Sequence, residues 1–218
     1  MLDGEHNALI ALSTEPRPEE MVAGLGSRFF VTETAIKPFS VGYPIQAPLD
    51  AFLTLLREHT LSVDNVERIV VKLPEDGARI VNDRSMPDVN CQHIIALALV
   101  AGAVSFEDSH SYERMADPKV LAAKERVQLI ADPGLMDPAA PRSGRVEVTL
   151  RNGQTISHFT RHPPGTKENP LNTERVNEKA RSLMTPVLGA ERTEVVIRQV
   201  NALEKLNEVR ELRPLLAS

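Results

Sequence analysis

The sequence has no tryptophan, two tyrosines and a single cysteine, Cys91. A lone cysteine excludes an internal disulfide framework and a zinc site built from several cysteines, and it fits a reducing cytoplasm. With so few large aromatic side chains, the composition argues against a stacking platform for single-stranded nucleic acid. Acidic residues outnumber basic residues by 30 to 25, so the net charge gives no basic face and we expect no nucleic-acid partner.

Long apolar runs are also missing. The most apolar segment, 94–104, is about half as long as the ~20 residues that a membrane span requires. No apolar run typical of a secretory signal follows the acidic start of the chain. We therefore expect a cytoplasmic protein with no membrane partner. Its 218 residues, 42% hydrophobic and 25% charged, are ordinary for a globular chain with its own core.

The strand signals are short and scattered along the chain. Residues 145–151 alternate apolar and polar side chains, and Asn152-Gly153 before a returning run favours a hairpin with a two-residue type I′ turn. β-branched and apolar runs predict the other strands. The predicted strands are 29–36, 66–73, 127–131 and the hairpin 145–151/154–160.

Helical spacing of apolar residues accompanies these strands. Between 48 and 59 the apolar positions follow at i, i+3, i+4 and i+7, so Leu49, Phe52, Leu53 and Leu56 should pack on the sheet. Further helices are predicted over 90–103, 118–125, from 173 onward and 193–212. Together the elements predict an α+β fold, a two-layer α/β domain with a small, mainly antiparallel sheet and additional helices.

The predicted helix 90–103 is apolar on nearly all sides, which is typical of a helix that is buried on every face. We expect this chain alone to leave an apolar patch there or to bury it by self-association, because large apolar patches are rarely exposed on monomers. The residues of the expected patch are Ile94, Ile95, Leu97 and Leu99.

No short motif identifies a chemistry. Gly24 and Gly26 lack the third glycine of a dinucleotide fingerprint. His158 and His162 are better interpreted as partly exposed side chains than as a metal pair, and 107–110 as a solvated loop rather than a cation site. Without further information the chain is an α+β domain of unknown role, and we expect no metal site.

Three stretches nevertheless resemble one family. Together they are similar to the carboxyl-terminal half of the MmgE/PrpD family, which includes 2-methylcitrate dehydratase and cis-aconitate decarboxylase, and the resemblance extends over 2–214. The stretches are 36–51 (IKPFSVGYPIQAPLDA), 86–102 (beginning MPDVNCQH) and 165–171 (GTKENPL) with the helix that carries Lys179-Ala180.

The resemblance implies a cofactor-independent lyase that acts on a small polycarboxylate, as in propionate metabolism. Glycines, prolines and a short apolar stretch near the start of the chain predict a connector at 1–28. The resemblance implies an α/β lid domain at 29–165, including the apolar helix 90–103, and carboxyl-terminal helices at 166–218 that join a helical domain. The active site would lie in the cleft between the lid and the helical amino-terminal half, which this sequence does not contain. A homodimer is also implied.

Site residues follow from the same resemblance. Lys37 and His93 are implied as catalytic residues, and Ser40, Tyr43 and Gln46 as substrate-binding residues. A lysine at a cleft can neutralise a substrate carboxylate, and a histidine can transfer protons near neutral pH.

The chain departs from the family pattern at three positions, one of which is His93, where the family commonly has a tyrosine facing the substrate. Some members carry a histidine five residues after the lysine, where this chain has Gly42, and many carry one where Gln46 stands. Two functional hypotheses therefore remain. The first is a lid half of a lyase that is inactive as an isolated chain, and the second is a stand-alone, non-catalytic binding domain derived from the family.

Overall fold

The computed structural model describes residues 4–216, which divide into two compact units. The first unit ends at Thr34 and the second begins at Ala35. In the first unit, α1 (Ala8–Leu12) begins after Asn7, whose side chain accepts hydrogen bonds from two backbone N–H groups at the helix start. A 3-10 turn, Pro18–Met21, follows.

The predicted strand at 29–36 is wrong. Residues Phe30–Glu33 form a 3-10 turn instead. The hydroxyl groups of Thr32 and Thr34 donate to the carbonyl oxygens three residues earlier, each at 2.7 Å. Such local side-chain bonds compete with extended structure, and they outweigh the β-propensity of this run.

One four-stranded sheet forms the centre of the second unit, with the order β2-β1-β3-β4. The strands β1 and β2 are parallel, whereas β1–β3 and β3–β4 are antiparallel. The α+β class and the mainly antiparallel sheet are thus confirmed. The strands are β1 (Val66–Leu73), β2 (Val127–Ala131), β3 (Gly144–Leu150) and β4 (Thr155–Thr160).

The hairpin between β3 and β4 is confirmed, but its turn is not of type I′. Gly153 alone in the turn has a positive φ, +85°, and its N–H donates to the carbonyl oxygen of Leu150 at 2.8 Å. The N–H of Leu150 in turn donates to the carbonyl oxygen of Gln154. Three residues therefore form the loop, with the glycine in the left-handed position that this longer loop requires.

Helices cover one face of the sheet. Leu49 and Phe52 of α2 are fully buried, Leu53 and Leu56 pack at the edge of the core, and α2 packs on β3 and β4. The helices of the second unit are α2 (Gln46–Glu58), α3 (Glu75–Val81), α4 (Cys91–Ala101), α5 (Phe106–His110), α6 (Tyr112–Ala116), α7 (Pro118–Lys124), α8 (Thr173–Leu188), α9 (Ala190–Asn201) and α10 (Arg213–Leu216).

The exposed patch expected on the apolar helix is also wrong. This helix is α4, and it packs against α2, α7 and β2 of the same chain. Ile94, Ile95 and Leu97 have no exposed surface, and Leu99 retains 5%. The flanking helices of this chain therefore bury the face that was expected to need another domain.

The carboxyl-terminal region is more broken than predicted. Helix α9 ends at Asn201, and two 3-10 turns, Leu203–Lys205 and Val209–Leu212, precede α10. The helix predicted over 193–212 therefore ends early, and a capping box between Glu208 and Glu211 starts the second of these turns. Across residues 4–216, no helix is long and apolar enough to cross a membrane.

Candidate functional site

The segment that leads into α2 is fixed at several points. At its start, the N–H of Ile36 donates to the carbonyl oxygen of Gly165 at 2.9 Å. At its end, the N–H of Gly42 donates to the carbonyl oxygen of Asp88 at 2.8 Å. Residues 36–42, which we call the lysine loop, therefore connect two distant parts of the second unit while carrying Lys37.

Gln46 holds the lysine loop from inside. Its side chain is fully buried, and its amide nitrogen donates to the carbonyl oxygens of Phe39 at 2.9 Å and Val41 at 3.1 Å. Its amide oxygen accepts from the N–H of Phe39 at 3.3 Å. Since both donors are already used within the chain, the structure gives this glutamine a part in shaping the loop. Its contact with substrate stays a prediction.

Replacing Gln46 by leucine should therefore destabilise the fold. The apolar side chain has a similar volume but leaves the polar backbone groups of Phe39 and Val41 without these partners, and one buried unpaired group costs about 1–3 kcal/mol. We expect the free energy of unfolding, measured by urea denaturation, to fall by about 2 kcal/mol. Gln154→Leu, at an exposed position, is the control, and an equal effect of both changes would contradict the role assigned to Gln46.

Lys37 is exposed, and its side chain folds over the lysine loop. Its ammonium group donates to the carbonyl oxygen of Val41 at 3.0 Å. The main-chain carbonyl of Lys37 accepts a hydrogen bond from the ammonium group of Lys179 on α8. The two lysines, 142 residues apart in the sequence, are thus in direct contact.

A groove of about 440 Å³ opens beside this contact, between the lysine loop, the start of α5 and one side of α8. Ser40, whose part in substrate binding stays a prediction, lies in its wall. We call it the α8 groove. It is lined by Pro38, Phe39, Ser40, Val104, Ser105, Phe106, Glu107, Lys179, Ser182, Leu183, Pro186 and Val187.

The groove lowers the pKa of Lys179. Partial burial is the larger cause, because it disfavours the charged ammonium, and the positive charge of Lys37 adds to the effect. Sequence reasoning identified Lys179 only as part of a family-like stretch and not as a site residue. Periodicity shows which side of α8 is apolar, but it does not show that this side meets a loop from the other end of the domain.

His93 lies in the core on α4 and has no exposed surface. Neither of its ring nitrogens has a hydrogen-bond partner within residues 4–216. Burial lowers the pKa of its imidazole to about 4, and the positive charges of Lys124 and Arg114 act in the same direction. His93 does not line the α8 groove, so the structure does not bring it together with Ser40 there.

Tyr43 occupies a separate position. Its side chain is half-buried, and the residue opens a 3-10 turn, Tyr43–Ile45, that leads into α2. It lies outside the lining of the α8 groove. The structure therefore places Ser40 in the wall of the α8 groove and Lys37 in the same loop but outside the lining, with Gln46 holding that loop. Tyr43 and His93 lie elsewhere, and their roles stay predictions.

A second histidine, His110, lies closer to the groove. Its ring stacks on Phe106 at 4.3 Å between ring centres, and its Nδ1 is 2.8 Å from the carbonyl oxygen of Phe106. Its Nε2 lies 3.9 Å from a carboxylate oxygen of Asp88. Residues 106–110 form the short helix α5 and not the loop that was predicted. Within the described part of the chain, no three acidic, histidine or cysteine residues cluster as metal ligands.

Comparison with known proteins places this arrangement in a family. Residues 39–205, most of the chain, match the model of the MmgE/PrpD C-terminal domain. The chain belongs to the MmgE/PrpD family. The match begins inside the lysine loop and continues through α8 and α9, so the α8 groove lies almost wholly in the family domain.

Two fungal relatives extend the comparison. The cis-aconitate decarboxylase-like protein oryM of Aspergillus oryzae is 24% identical to this chain, over 92% of the chain and 44% of that protein. The cis-aconitate decarboxylase of Aspergillus terreus is 23% identical, also over 92% of this chain and 44% of its own length. This MmgE/PrpD chain therefore spans less than half the length of these curated relatives.

Proposed function

We propose that this chain is the lid-forming, carboxyl-terminal half of a cofactor-independent lyase, and that it turns over substrate only together with a helical amino-terminal half. The substrate would be a small polycarboxylate such as 2-methylcitrate or aconitate. The observation that carries the proposal is the position of Lys37, which lies in the family-like loop at the α8 groove and contacts a second lysine.

The chemistry fits a groove that lies beside two lysines. Eliminating water or carbon dioxide next to a carboxylate passes through a state with added negative charge on the substrate. An ammonium group held beside that charge stabilises it, and it also orients the substrate by binding a carboxylate. In this proposal Lys37 provides that charge, and Ser40 hydrogen-bonds to the bound acid.

The dependence on a second half follows from the groups that the groove lacks. Of its lining residues only Lys179 and Glu107 titrate, and no histidine is among them. Gly42 and Gln46 occupy positions where family members carry histidines, and the ring of His93 is buried. We therefore propose that the missing acid–base groups come from the helical half.

The same proposal covers the organisation of the protein. Residues 29–165 would form the lid and 166–218 would join the helical half, after a connector at 1–28. Dimerisation would occur through the helical half. Activity in propionate metabolism within the cytoplasm is part of this proposal.

A non-catalytic binding domain is the second candidate function. One observation favours it: the lysine loop is held by hydrogen bonds from Gln46, where a catalytic histidine is common in the family, so the loop keeps its shape while that proton-transfer group is absent. Such a domain would bind a small acid without converting it.

Replacing Lys37 by alanine tests the proposed catalytic role. In a complex with a helical amino-terminal half of the family, we expect Lys37→Ala to lower turnover by about 10²-fold, because loss of one positioned charged group typically costs about this much. Lys72→Ala is the control, since Lys72 lies on β1 and pairs with Glu147 at 2.7 Å. Turnover is followed by the ultraviolet absorbance of unsaturated acid, with 2-methylcitrate and cis-aconitate as substrates.

Four outcomes would contradict the proposal. Robust turnover by the isolated chain would show that it needs no second half. Equal activities of the Lys37→Ala and Lys72→Ala complexes would place the site elsewhere. A stable complex without any turnover would favour the binding domain, as would the absence of a helical half encoded near this reading frame.

A further inference from the structure

The strand β4 forms one outer edge of the four-stranded sheet, and within residues 4–216 it pairs only with β3. The two strands match over six consecutive residue pairs, from Thr149 with Thr155 to Gly144 with Thr160. The other outer edge, β2, is contacted by the helices α3 and α4. The unpaired side of β4 is therefore the place where this sheet can be extended by another strand.

Backbone groups of β4 point alternately toward β3 and away from the sheet, as in any antiparallel pair. Leu150 opposes Gln154, and its N–H donates to the carbonyl oxygen of that residue at 2.8 Å. Along the register from this bonded pair, the even-numbered residues of β4 bond to β3. The N–H and C=O groups of Thr155, Ser157 and Phe159 therefore point outward, and the side chains of all three residues are exposed.

The outward side of β4 lacks the features that usually protect a strand edge. Native edges are commonly protected by lysine, proline or a β-bulge, which keep another strand from pairing with them. The residues of β4, TISHFT, include no lysine, arginine, acidic residue or proline, and the register with β3 runs without a bulge. A second strand can therefore approach this edge without meeting a proline ring or a fixed charge of β4.

The outward groups of β4 match those of a second copy of the same strand. If Ser157 lies on a two-fold axis, it faces Ser157 of the second copy, and Thr155 faces Phe159 on either side of the axis. Each outward N–H group then reaches an outward C=O group of the other copy. Phe159 is 37% exposed, and an aromatic residue directly opposite a β-branched residue stabilises a strand pair.

We propose that β4 is a self-association edge, and that its partner is β4 of a second copy of this chain. Antiparallel pairing around Ser157 joins two four-stranded sheets into one. Both copies use the same edge, so the association closes at two chains and does not extend into a fibre. This inference goes beyond the proposed function, because the edge lies in the lid and its pairing requires neither the helical half nor turnover.

Sedimentation of the 218-residue chain over about 10 µM to about 1 mM measures this association, which should be weak because two short strands bury less surface than a standard interface. The apparent mass should rise from 24.0 kDa toward about 48 kDa, the mass of two chains. Ser157→Lys places two ammonium groups opposite each other and should weaken the association about tenfold or more. Ser157→Thr keeps a neutral side chain and should preserve it. Ala122→Lys adds the same charge at an exposed position of α7 and is the control.

Cysteine cross-linking tests the register. Two Ser157 residues that face each other in a hydrogen-bonded pair have Cα atoms about 5.5 Å apart, within the range that a disulfide spans. Ser157→Cys should therefore form a covalent dimer in oxidised glutathione, visible on a non-reducing gel. Thr155→Cys is the matched control, because it is exposed on the same edge but its two copies would lie about 14 Å apart along the strands. The native Cys91 is fully buried and does not compete.

A chain that stays monomeric up to about 1 mM would overturn the inference. An association that Ser157→Lys leaves unchanged would also overturn it, because another surface would then carry the association. Cross-linking of Thr155→Cys as fast as that of Ser157→Cys would refute the two-fold register. Circular dichroism confirms that each variant is folded. Turnover of the complex enters none of these measurements, so the self-association and the lyase can each fail without the other.

Discussion

Replacing Gly165 by alanine is expected to be among the most destabilising single changes in this chain. Gly165 has a φ of +90°, and a Cβ atom there would lie 1.8 Å from the carbonyl oxygen of Ile36. That oxygen belongs to the backbone and cannot move aside alone, so the pairing of Ile36 with Gly165 must open. We expect a loss of about 4 kcal/mol in the free energy of unfolding, from strain, the steric clash and the lost hydrogen bond.

A second glycine separates these contributions. Gly153 in the β3–β4 turn has a similar φ, +85°, but a Cβ atom there meets nothing within 4 Å. Gly153→Ala therefore carries only the conformational cost of about 1–2 kcal/mol. Urea denaturation of both variants gives the difference. If the two changes cost the same, the close approach of Gly165 to Ile36 is not a feature of the folded protein.

Acidification is the second condition for which we expect a large effect, and it acts through His93. The pKa of this buried imidazole is about 4, against 6.5 for a free side chain. Between these two pH values the imidazole is protonated in the unfolded chain but neutral in the folded chain. Stability should therefore fall as the pH decreases from about 6.5 to 4 and change no further below that through this group. One pKa unit corresponds to about 1.4 kcal/mol, which gives about 3 kcal/mol in all.

His93→Leu should remove most of this dependence. The leucine fills a similar volume and leaves no ring nitrogen unpaired, so we expect the variant to be more stable than the original chain at pH 4.5. His59→Leu is the control, because His59 is exposed and its surroundings change little on unfolding. Chemical denaturation at several pH values measures the effect. An unchanged pH dependence in His93→Leu would show that the ring is not buried in its neutral form.

Sequence patterns predicted the helices and strands in which apolar residues recur at regular spacing on the face that packs against the core. The alternation in β3 and the stripe of α2 each follow from a buried face on one side, so they were recognisable without knowing the partner. Residues 29–36 have the composition of a strand, but a strand also needs a neighbour, and composition carries no information about that neighbour. The covering of α4 depended in the same way on helices that contact it from elsewhere in the chain.

In the candidate site, too, local sequence features were predictable and contacts between distant residues were not. Lys37 and Ser40 were found because they lie in one continuous family-like stretch. The contact between Lys37 and Lys179 joins residues 142 positions apart, and His110 reaches the groove only through its stacking on Phe106. Local patterns do not predict such contacts, because the fold of the intervening chain determines which faces meet.

The hydrogen bonds between the side chain of Gln46 and the backbone of the lysine loop limit how this domain can diversify. A loop whose backbone is fixed by one buried amide tolerates few insertions or exchanges, because each would break several hydrogen bonds at once. The opposite wall of the groove is built from α8 side chains such as Leu183 and Val187, and none of these side chains takes part in the hydrogen bonds that Gln46 makes to the loop. Variation among descendants of this chain should therefore accumulate on α8, while the lysine loop is inherited unchanged.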